Sequence, residues 1–87
     1  MTQPAVTVYT SDWCPYCQRA NGLLTQKSAV FTEINVDDDE KFREEMIARS
    51  GRRTVPQIFI GEKHVGGCDD LFALDGRGEL DRLIQGG

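Results

Sequence analysis

The feature of this 87-residue chain that most constrains its fold is the segment Cys14-Pro15-Tyr16-Cys17. It stands between the β-prone run Val6-Thr7-Val8-Tyr9 and a pattern that predicts a helix. Proline is favoured at the first position of a helix, where a missing N–H costs nothing, so Cys14 is predicted at the N-cap. We therefore expect a strand, a tight turn and a helix in succession, with two thiols one helical turn apart, a pattern typical of a redox-active dithiol.

The two cysteines of this segment are predicted to have different roles. The sulfur of Cys14 would face the free N–H groups and the positive end of the helix dipole, both of which favour an anion. Cys17 lies one turn later and can reach back to it. Cys14 is therefore expected to be the nucleophilic thiolate, and Cys17 the thiol that resolves its mixed disulfides. A structural disulfide or a pair of inert core thiols is disfavoured, because Pro15 at the start of the helix leaves Cys14 exposed.

Length and composition argue against several classes of protein. The length predicts one domain over residues 1–87, and no apolar run approaches the roughly 18 residues that cross a bilayer. A net charge of -4 argues against non-specific binding to nucleic acid. Three cysteines are too few for a disulfide scaffold, and residues 1–4 have no secretory-signal pattern, so we expect a cytoplasmic protein. The sequence shows no apolar stripe beyond the residues of the predicted core that could form a subunit interface, so we expect a monomer.

Hydrophobic periodicity predicts the element order β-α-β-α-β-β-α, followed by a short extra helix. The predicted strands are Ala5–Thr10, Phe31–Val36, Gln57–Ile60 and Lys63–Val65. The predicted helices are Pro15–Lys27, a helix from an Asp37/Glu40 capping box to Gly51, Cys68–Leu74, and a last helix with Leu80, Leu83 and Ile84.

This order implies an α/β fold with one mixed four-stranded sheet flanked by helices, because the early strands pair in parallel and the later ones antiparallel. The C-x-x-C loop would lie at the C-terminal end of the first strand, the edge where open α/β sheets bind ligands. The core is expected to include Phe42, Met46, Ile47, Phe59 and Phe72.

Three motifs follow one another along the chain: Cys14-Pro15-Tyr16-Cys17, Thr54-Val55-Pro56 and Gly66-Gly67-Cys68-Asp69-Asp70. Together they resemble the dithiol glutaredoxins, in particular the small bacterial type, over essentially the whole chain. The resemblance implies a thioredoxin fold and a glutathione-dependent thiol–disulfide oxidoreductase that reduces glutathione mixed disulfides and protein disulfides. It also implies glutathione as a co-substrate, no tightly bound cofactor or metal, and glutathionylated or disulfide-bonded protein partners, with ribonucleotide reductase among the candidates.

The resemblance further implies how glutathione would be held. A cis Val55–Pro56 bond would turn the backbone of Val55 outward, where it could pair with the cysteinyl unit as a strand edge pairs with an extended peptide. The helix start at Cys68 would offer N–H groups to the γ-glutamyl carboxylate. The side chain of Asp69 or Asp70 would meet the ammonium group.

The remaining groups of glutathione are assigned by the same resemblance. Arg53 would face the glycyl carboxylate, with Arg43 a weaker candidate, and Tyr16 would form one wall of the groove. The whole implied glutathione site comprises Tyr16, Arg53, Thr54, Val55, Pro56, Cys68, Asp69 and Asp70.

Departures from the family pattern keep two alternatives open. Ser11 stands where many members have a lysine, so a cation near the thiolate is missing. Trp13 is similar to the Trp-Cys pair of thioredoxins, which leaves open a thioredoxin-like electron donor reduced by a flavin reductase. A subunit-bridging iron–sulfur cluster at Cys14 occurs in related glutaredoxins, but Pro15 stands where cluster-binding members have glycine.

A zinc-binding module is the third alternative. Cys14, Cys17, His64 and Cys68 supply the ligand types of a Cys3His site. There is no second C-x-x-C, however, and His64 is expected to be a half-exposed residue of a hairpin. Cys68 is expected to be a small buried residue whose backbone matters more than its sulfur.

Overall fold

The computed structural model describes residues 4–86, whose eight elements follow the predicted order. The strands are β1 (Val6–Thr10), β2 (Phe31–Asn35), β3 (Gln57–Ile60) and β4 (Lys63–Gly66). The helices are α1 (Pro15–Gln26), α2 (Glu40–Ser50), α3 (Cys68–Gly76) and α4 (Leu80–Gln85).

The sheet has the strand order β2-β1-β3-β4. β1 pairs with β2 in parallel, whereas β3 is antiparallel to both β1 and β4. The parallel pair needs a crossover connection, which α1 supplies. The predicted mixed four-stranded sheet is therefore confirmed.

This topology brings three separate motifs to one edge of the sheet. Tyr9 pairs with Gln57, so the segment after β1 meets the Thr54–Pro56 loop that enters β3. Ile58 pairs with Gly66, so the end of β4 and the start of α3 reach the same edge. Antiparallel pairing is the reason, because the end of one strand then lies beside the beginning of its neighbour.

Apolar side chains alternate between the two faces of the sheet along its central strands. Val8 and Ile58 belong to a cluster that α1 and α3 close with Leu24 and Leu71, all of them fully buried. On the opposite face lies a smaller cluster beneath α2, made of Tyr9, Val36, Met46 and Phe59.

Two phenylalanines that were predicted in the core are partly exposed. Phe42 is 37% exposed in the first turn of α2, a helix in which Met46 is the fully buried residue. Phe72 is 40% exposed and follows the buried Leu71 in α3. Consecutive helical residues lie about 100° apart around the axis, so Phe72 cannot share the inward direction of its neighbour. The guanidinium of Arg19 lies 5.9 Å from the centre of the Phe72 ring instead.

The predicted capping box at Asp37 is also wrong. The N-cap of α2 is Asp39, whose side chain accepts a hydrogen bond from the Lys41 N–H at 2.9 Å. The Asp37 carboxylate instead accepts the Asp12 N–H at 2.8 Å and pairs with Arg43 at 2.9 Å. It fastens the turn after β1 and is not available to start the helix.

Candidate active site

Cys14 lies at the N-cap of α1, as predicted, with Pro15 in the first turn of the helix. Its Sγ accepts a hydrogen bond from the backbone N–H of Cys17 at 3.2 Å, and its carbonyl accepts the N–H of Gln18 at 3.1 Å. Both cysteines are free thiols; Cys14 is half-buried and Cys17 is buried. The two sulfur-bearing residues are thus close together, with the more accessible one at the helix N-terminus.

The surroundings of the two thiols differ. Burial, followed by the hydrogen bond to Cys14, raises the pKa of Cys17 to about 12. The Cys17 thiol therefore keeps its proton at neutral pH. The sulfur of Cys14 accepts the Cys17 N–H at the N-terminus of α1, and the positive end of a helix favours an anion. This arrangement suits a nucleophile and a resolving thiol, respectively.

A groove with a volume of about 250 Å3 lies at the same edge of the sheet. Its walls come from the start of α1, the loop before β3 and the start of α3. The lining residues are Tyr16, Arg52, Thr54, Val55, Pro56, Gln57, Gly67, Cys68, Asp69 and Asp70.

The loop before β3 contributes backbone groups to this groove. The Val55–Pro56 bond is cis, as expected. Among the described residues 4–86, neither the N–H nor the C=O of Val55 has a hydrogen-bond partner. Val55 is only half-buried. Its peptide groups are therefore available to an extended ligand.

The start of α3 forms the opposite wall. Asp70 reaches back to the N-cap, where its Oδ2 accepts the Gly67 N–H at 2.9 Å. Gly66 has a φ of +119°, and a Cβ at this position would lie 2.2 Å from the same carboxylate oxygen. Only glycine fits at Gly66, and this lets the chain turn sharply from β4 into α3. The first N–H groups of α3 have no partner within the helix, which makes its N-terminus suited to an anion.

The family model for glutaredoxin matches residues 6–65 of the chain. The chain is also 58% identical to glutaredoxin 3 of Escherichia coli over 80 residues, which cover 92% of this chain and 96% of that protein. The chain belongs to the glutaredoxin family. As a glutaredoxin it is a thiol–disulfide oxidoreductase, and both the predicted family and the predicted enzyme class are confirmed.

Solved glutaredoxin structures agree with this fold. The solution structure of glutaredoxin from Brucella melitensis has a TM-score of 0.86 and 52% identity, over 98% of this chain and 92% of that one. The crystal structure of a buckwheat glutaredoxin–glutathione complex has a TM-score of 0.84 and 32% identity, over 94% of this chain and 76% of that one. The predicted thioredoxin fold is confirmed by this likeness.

The groove of this glutaredoxin includes most of the residues that the sequence implied, but a different arginine. Arg52 lines the groove, with its Nη1 3.5 Å from Asp70 Oδ2. Arg53 is exposed and lies outside the lining, and Arg43 is paired with Asp37. Of the two adjacent arginines, only Arg52 lines the groove.

Gln57 is a groove residue that the sequence analysis missed. It is 1% exposed, and its Nε2 donates to the carbonyl and the hydroxyl of Thr54 at 3.0 and 3.2 Å. Its Oε1 lies 2.7 Å from His64 Nε2. Burial, and then the nearby charge of Arg52, lowers the pKa of His64, so the ring is neutral at pH 7 and donates this bond from Nε2. The sequence signal was a polar residue at the start of the apolar run Gln57–Ile60.

These contacts also bear on the zinc alternative. His64 stacks on Phe59 with ring centres 4.8 Å apart, in addition to its bond with Gln57. Within residues 4–86, no group of three or more His, Cys, Asp or Glu side chains is placed to hold a metal ion. The Cys3His arrangement is therefore not formed.

Over residues 4–86, the structure contains no helix with the length and apolar character needed to span a membrane.

Proposed function

We propose that this glutaredoxin uses glutathione to reduce glutathione mixed disulfides and protein disulfides, with Cys14 as nucleophile and Cys17 as resolving thiol. The observation that carries the proposal is the groove beside Cys14, because its donors and charges match those of glutathione. The similar buckwheat glutaredoxin, whose structure is a complex with glutathione, gives further support.

The ends of glutathione differ in charge, and the groove offers a partner for each. The γ-glutamyl end has a carboxylate for the N-terminus of α3 and an ammonium for the exposed carboxylate of Asp69, because Asp70 is already engaged by the Gly67 N–H and Arg52. The glycyl carboxylate fits the guanidinium of Arg52, which the structure places on the groove in preference to Arg53. The peptide groups between these ends would pair with the free N–H and C=O of Val55. Tyr16, Thr54, Pro56 and Cys68 would complete the walls.

The first proposed reaction removes glutathione from a modified protein. The Cys14 thiolate attacks the glutathionyl sulfur, forming a Cys14–glutathione disulfide and breaking the bond to the target. The target sulfur leaves with the electron pair and takes a proton from water. A second glutathione thiolate then attacks the glutathionyl sulfur of this intermediate, so that glutathione disulfide leaves and the Cys14 thiolate is restored.

The second proposed reaction reduces a protein disulfide. Cys14 forms a mixed disulfide with one target sulfur, and the other target sulfur leaves as a thiolate. Cys17 loses its proton and attacks the sulfur of Cys14, which closes the Cys14–Cys17 disulfide and releases the second target thiol. Two glutathione molecules reopen this disulfide and supply the two electrons.

The test is a coupled assay with NADPH, glutathione, glutathione reductase and a small glutathione mixed disulfide. We expect saturable oxidation of NADPH that depends on the protein. Absence of catalysis, together with reduction of the Cys14–Cys17 disulfide by NADPH and thioredoxin reductase alone, would replace the proposal with the thioredoxin-like alternative.

The division of labour between the cysteines has its own test, the variant Cys17→Ser. We expect it to retain reduction of the small mixed disulfide and to lose reduction of a protein disulfide, because only the second reaction needs a resolving thiol. Equal loss of both activities would contradict these roles.

We also place this activity in the reducing cytoplasm and propose that the enzyme acts as a monomer. Three free thiols are consistent with such a compartment. Ribonucleotide reductase and glutathionylated proteins are the proposed protein targets, and reduction of each by the purified enzyme is the measurement that separates them.

A further inference from the structure

The two sides of Cys14 differ in charge and shape. Cys14 follows β1, which lies between β2 and β3 in the sheet. On the β3 side is the groove with Arg52. On the β2 side is the turn Asp12–Trp13, whose contacts are with Asn35 and Asp37 just beyond β2.

Trp13 is the most conspicuous residue of this second side. It is the only tryptophan of the chain, it directly precedes Cys14, and 95% of its surface is exposed. Its φ is +55°, an uncommon conformation for a residue other than glycine. Strained residues of this kind persist only where their surroundings fix them, and they are concentrated at functional sites.

The residue before Trp13 is held by a network of hydrogen bonds. The Asp12 N–H donates to Asp37 Oδ2, Asn35 Nδ2 donates to Asp12 Oδ1, and the Asp37 N–H donates to Asn35 Oδ1, each at 2.8 Å. Arg43 holds the other oxygen of Asp37 at 2.9 Å. The exposed Trp13 therefore follows directly on a well-connected residue of this turn.

The side of Cys14 that carries Trp13 is acidic. The two basic residues that follow this acidic segment in the sequence are Lys41 and Arg43. Arg43 is already paired with Asp37. An aromatic face attracts cations, and exposed carboxylates do the same. The carboxylates of this region are Asp12, Asp37, Asp38, Asp39 and Glu40, all exposed.

We propose that Trp13 and this acidic turn bind the protein partner when Cys14 forms a mixed disulfide with it. The preferred partner is a cysteine-bearing segment with lysine or arginine beside the cysteine. This inference rests on the proposed function, because it needs Cys14 to attack a protein disulfide. In that step the Cys14–target bond forms, the target disulfide breaks, and the second target sulfur leaves as a thiolate.

The first experiment measures an exchange equilibrium in the Cys17→Ser variant, with Cys17→Ala as a second background. The Cys14–glutathione disulfide is mixed with a peptide thiol, and the Cys14–peptide disulfide and free glutathione that form are quantified by mass spectrometry. Three peptides of equal length carry arginine, serine or glutamate beside the cysteine. Each exchange equilibrium constant is divided by the equilibrium constant for exchange of the same peptide thiol with glutathione disulfide. This normalisation removes the effect of the flanking charge on the peptide thiol itself.

We expect the normalised exchange constant of the arginine peptide to exceed that of the glutamate peptide by about tenfold at low salt. Most of this difference should disappear in 1 M salt. Trp13→Ala should lower the constant for the arginine peptide by about two- to five-fold, and Trp13→Phe by less. Val30→Ala removes another highly exposed apolar side chain, away from the site, and should have no effect.

The second experiment uses the single tryptophan as a probe. Its emission should shift to shorter wavelength in the Cys14–arginine peptide disulfide and stay unchanged in the Cys14–glutathione disulfide. Unchanged emission in both complexes, or a constant for the arginine peptide that Trp13→Ala leaves unchanged, would overturn this inference while leaving the proposed function intact. Failure of Cys14 to exchange with any thiol, glutathione included, would overturn both.

Discussion

The two faces of the sheet hold their helices through different interactions. One face packs against α1, α3 and α4, and the other packs against α2. Within residues 4–86, the first face has a cluster of twelve buried apolar residues and the second a cluster of four. Cys17 lies in α1, Cys14 is the N-cap of this helix, and one wall of the groove belongs to α3, so the larger cluster supports the elements that carry the chemistry.

On the second face, polar contacts supplement the small cluster. The hydroxyl of the fully buried Tyr9 donates to the carboxylate of Glu45 and accepts from Arg49 Nη1 at 2.8 Å. The Arg49 guanidinium also lies 4.1 Å from the centre of the Phe59 ring. Burial raises the pKa of Tyr9, which keeps the hydroxyl protonated as a donor. A helix with little apolar surface can thus be fixed in place by directional contacts.

The first prediction concerns the chemistry that burial in α1 imposes on Cys17. Burial, the largest cause of the raised pKa of Cys17, should persist when Cys14 carries a target, so the thiolate fraction of Cys17 should rise about tenfold per pH unit through the neutral range, because the thiol is protonated below its pKa. Closure of the Cys14–Cys17 disulfide from a trapped target complex should accelerate accordingly between pH 6 and 9. Stopped-flow measurement of target release tests this.

The pH profile of the Cys17→Ser variant on a small mixed disulfide is the control, since that reaction does not use Cys17. A closure rate that is flat with pH would mean that Cys17 loses its proton by another route.

The second prediction compares one buried side chain from each face. Leu71→Ala should lower the free energy of unfolding by about 4 kcal/mol, because it leaves a cavity in the larger cluster. Met46→Ala should lower the free energy of unfolding by about 2 kcal/mol, near the lower end of the range for truncation of a buried side chain to alanine. The reason is that the smaller cluster can collapse more readily around the missing atoms. Urea unfolding of both variants measures the difference. Equal or reversed costs would mean that the two faces are packed equally tightly.

The third prediction tests the polar contacts of the second face. Tyr9→Phe keeps the ring but leaves Glu45 and Arg49 without the hydroxyl, and should destabilise the protein by about 1–2 kcal/mol. Hydrogen exchange should quicken in α2 more than in α1. Tyr16→Phe removes an exposed hydroxyl and should leave the stability unchanged. Uniform loss of protection across all helices would show that these contacts are not specific to α2.

The fourth prediction concerns the loop that leads from α2 to the groove. Arg52→Ala should raise the KM for the glutathione substrate about five-fold, because a charge-assisted contact to a carboxylate is lost from an exposed site. The adjacent Arg53→Ala is the matched control and should change KM by less than about two-fold. The coupled assay measures both KM values. A larger effect of Arg53→Ala would mean that Arg53, as the sequence implied, binds the glycyl carboxylate.

The element order and the redox centre were predictable because they depend on local rules. Pro15 after Cys14 sets the start of α1, and Gly51 ends α2 with a φ of +72°. The order of the predicted elements was enough to predict one mixed sheet flanked by helices. The motifs at Thr54–Pro56 and Gly66–Asp70 pointed to one family, and the comparisons bear this out.

The tertiary structure decided which side chains meet. Arg52 and Arg53 are chemically identical in the sequence, and only the direction of the loop selects the one on the groove. Gln57 becomes a link between His64 and Thr54 because β3 and β4 pair in a particular register. Local propensity cannot specify such contacts, since they depend on the positions of residues that are distant in the chain and on the burial those residues impose.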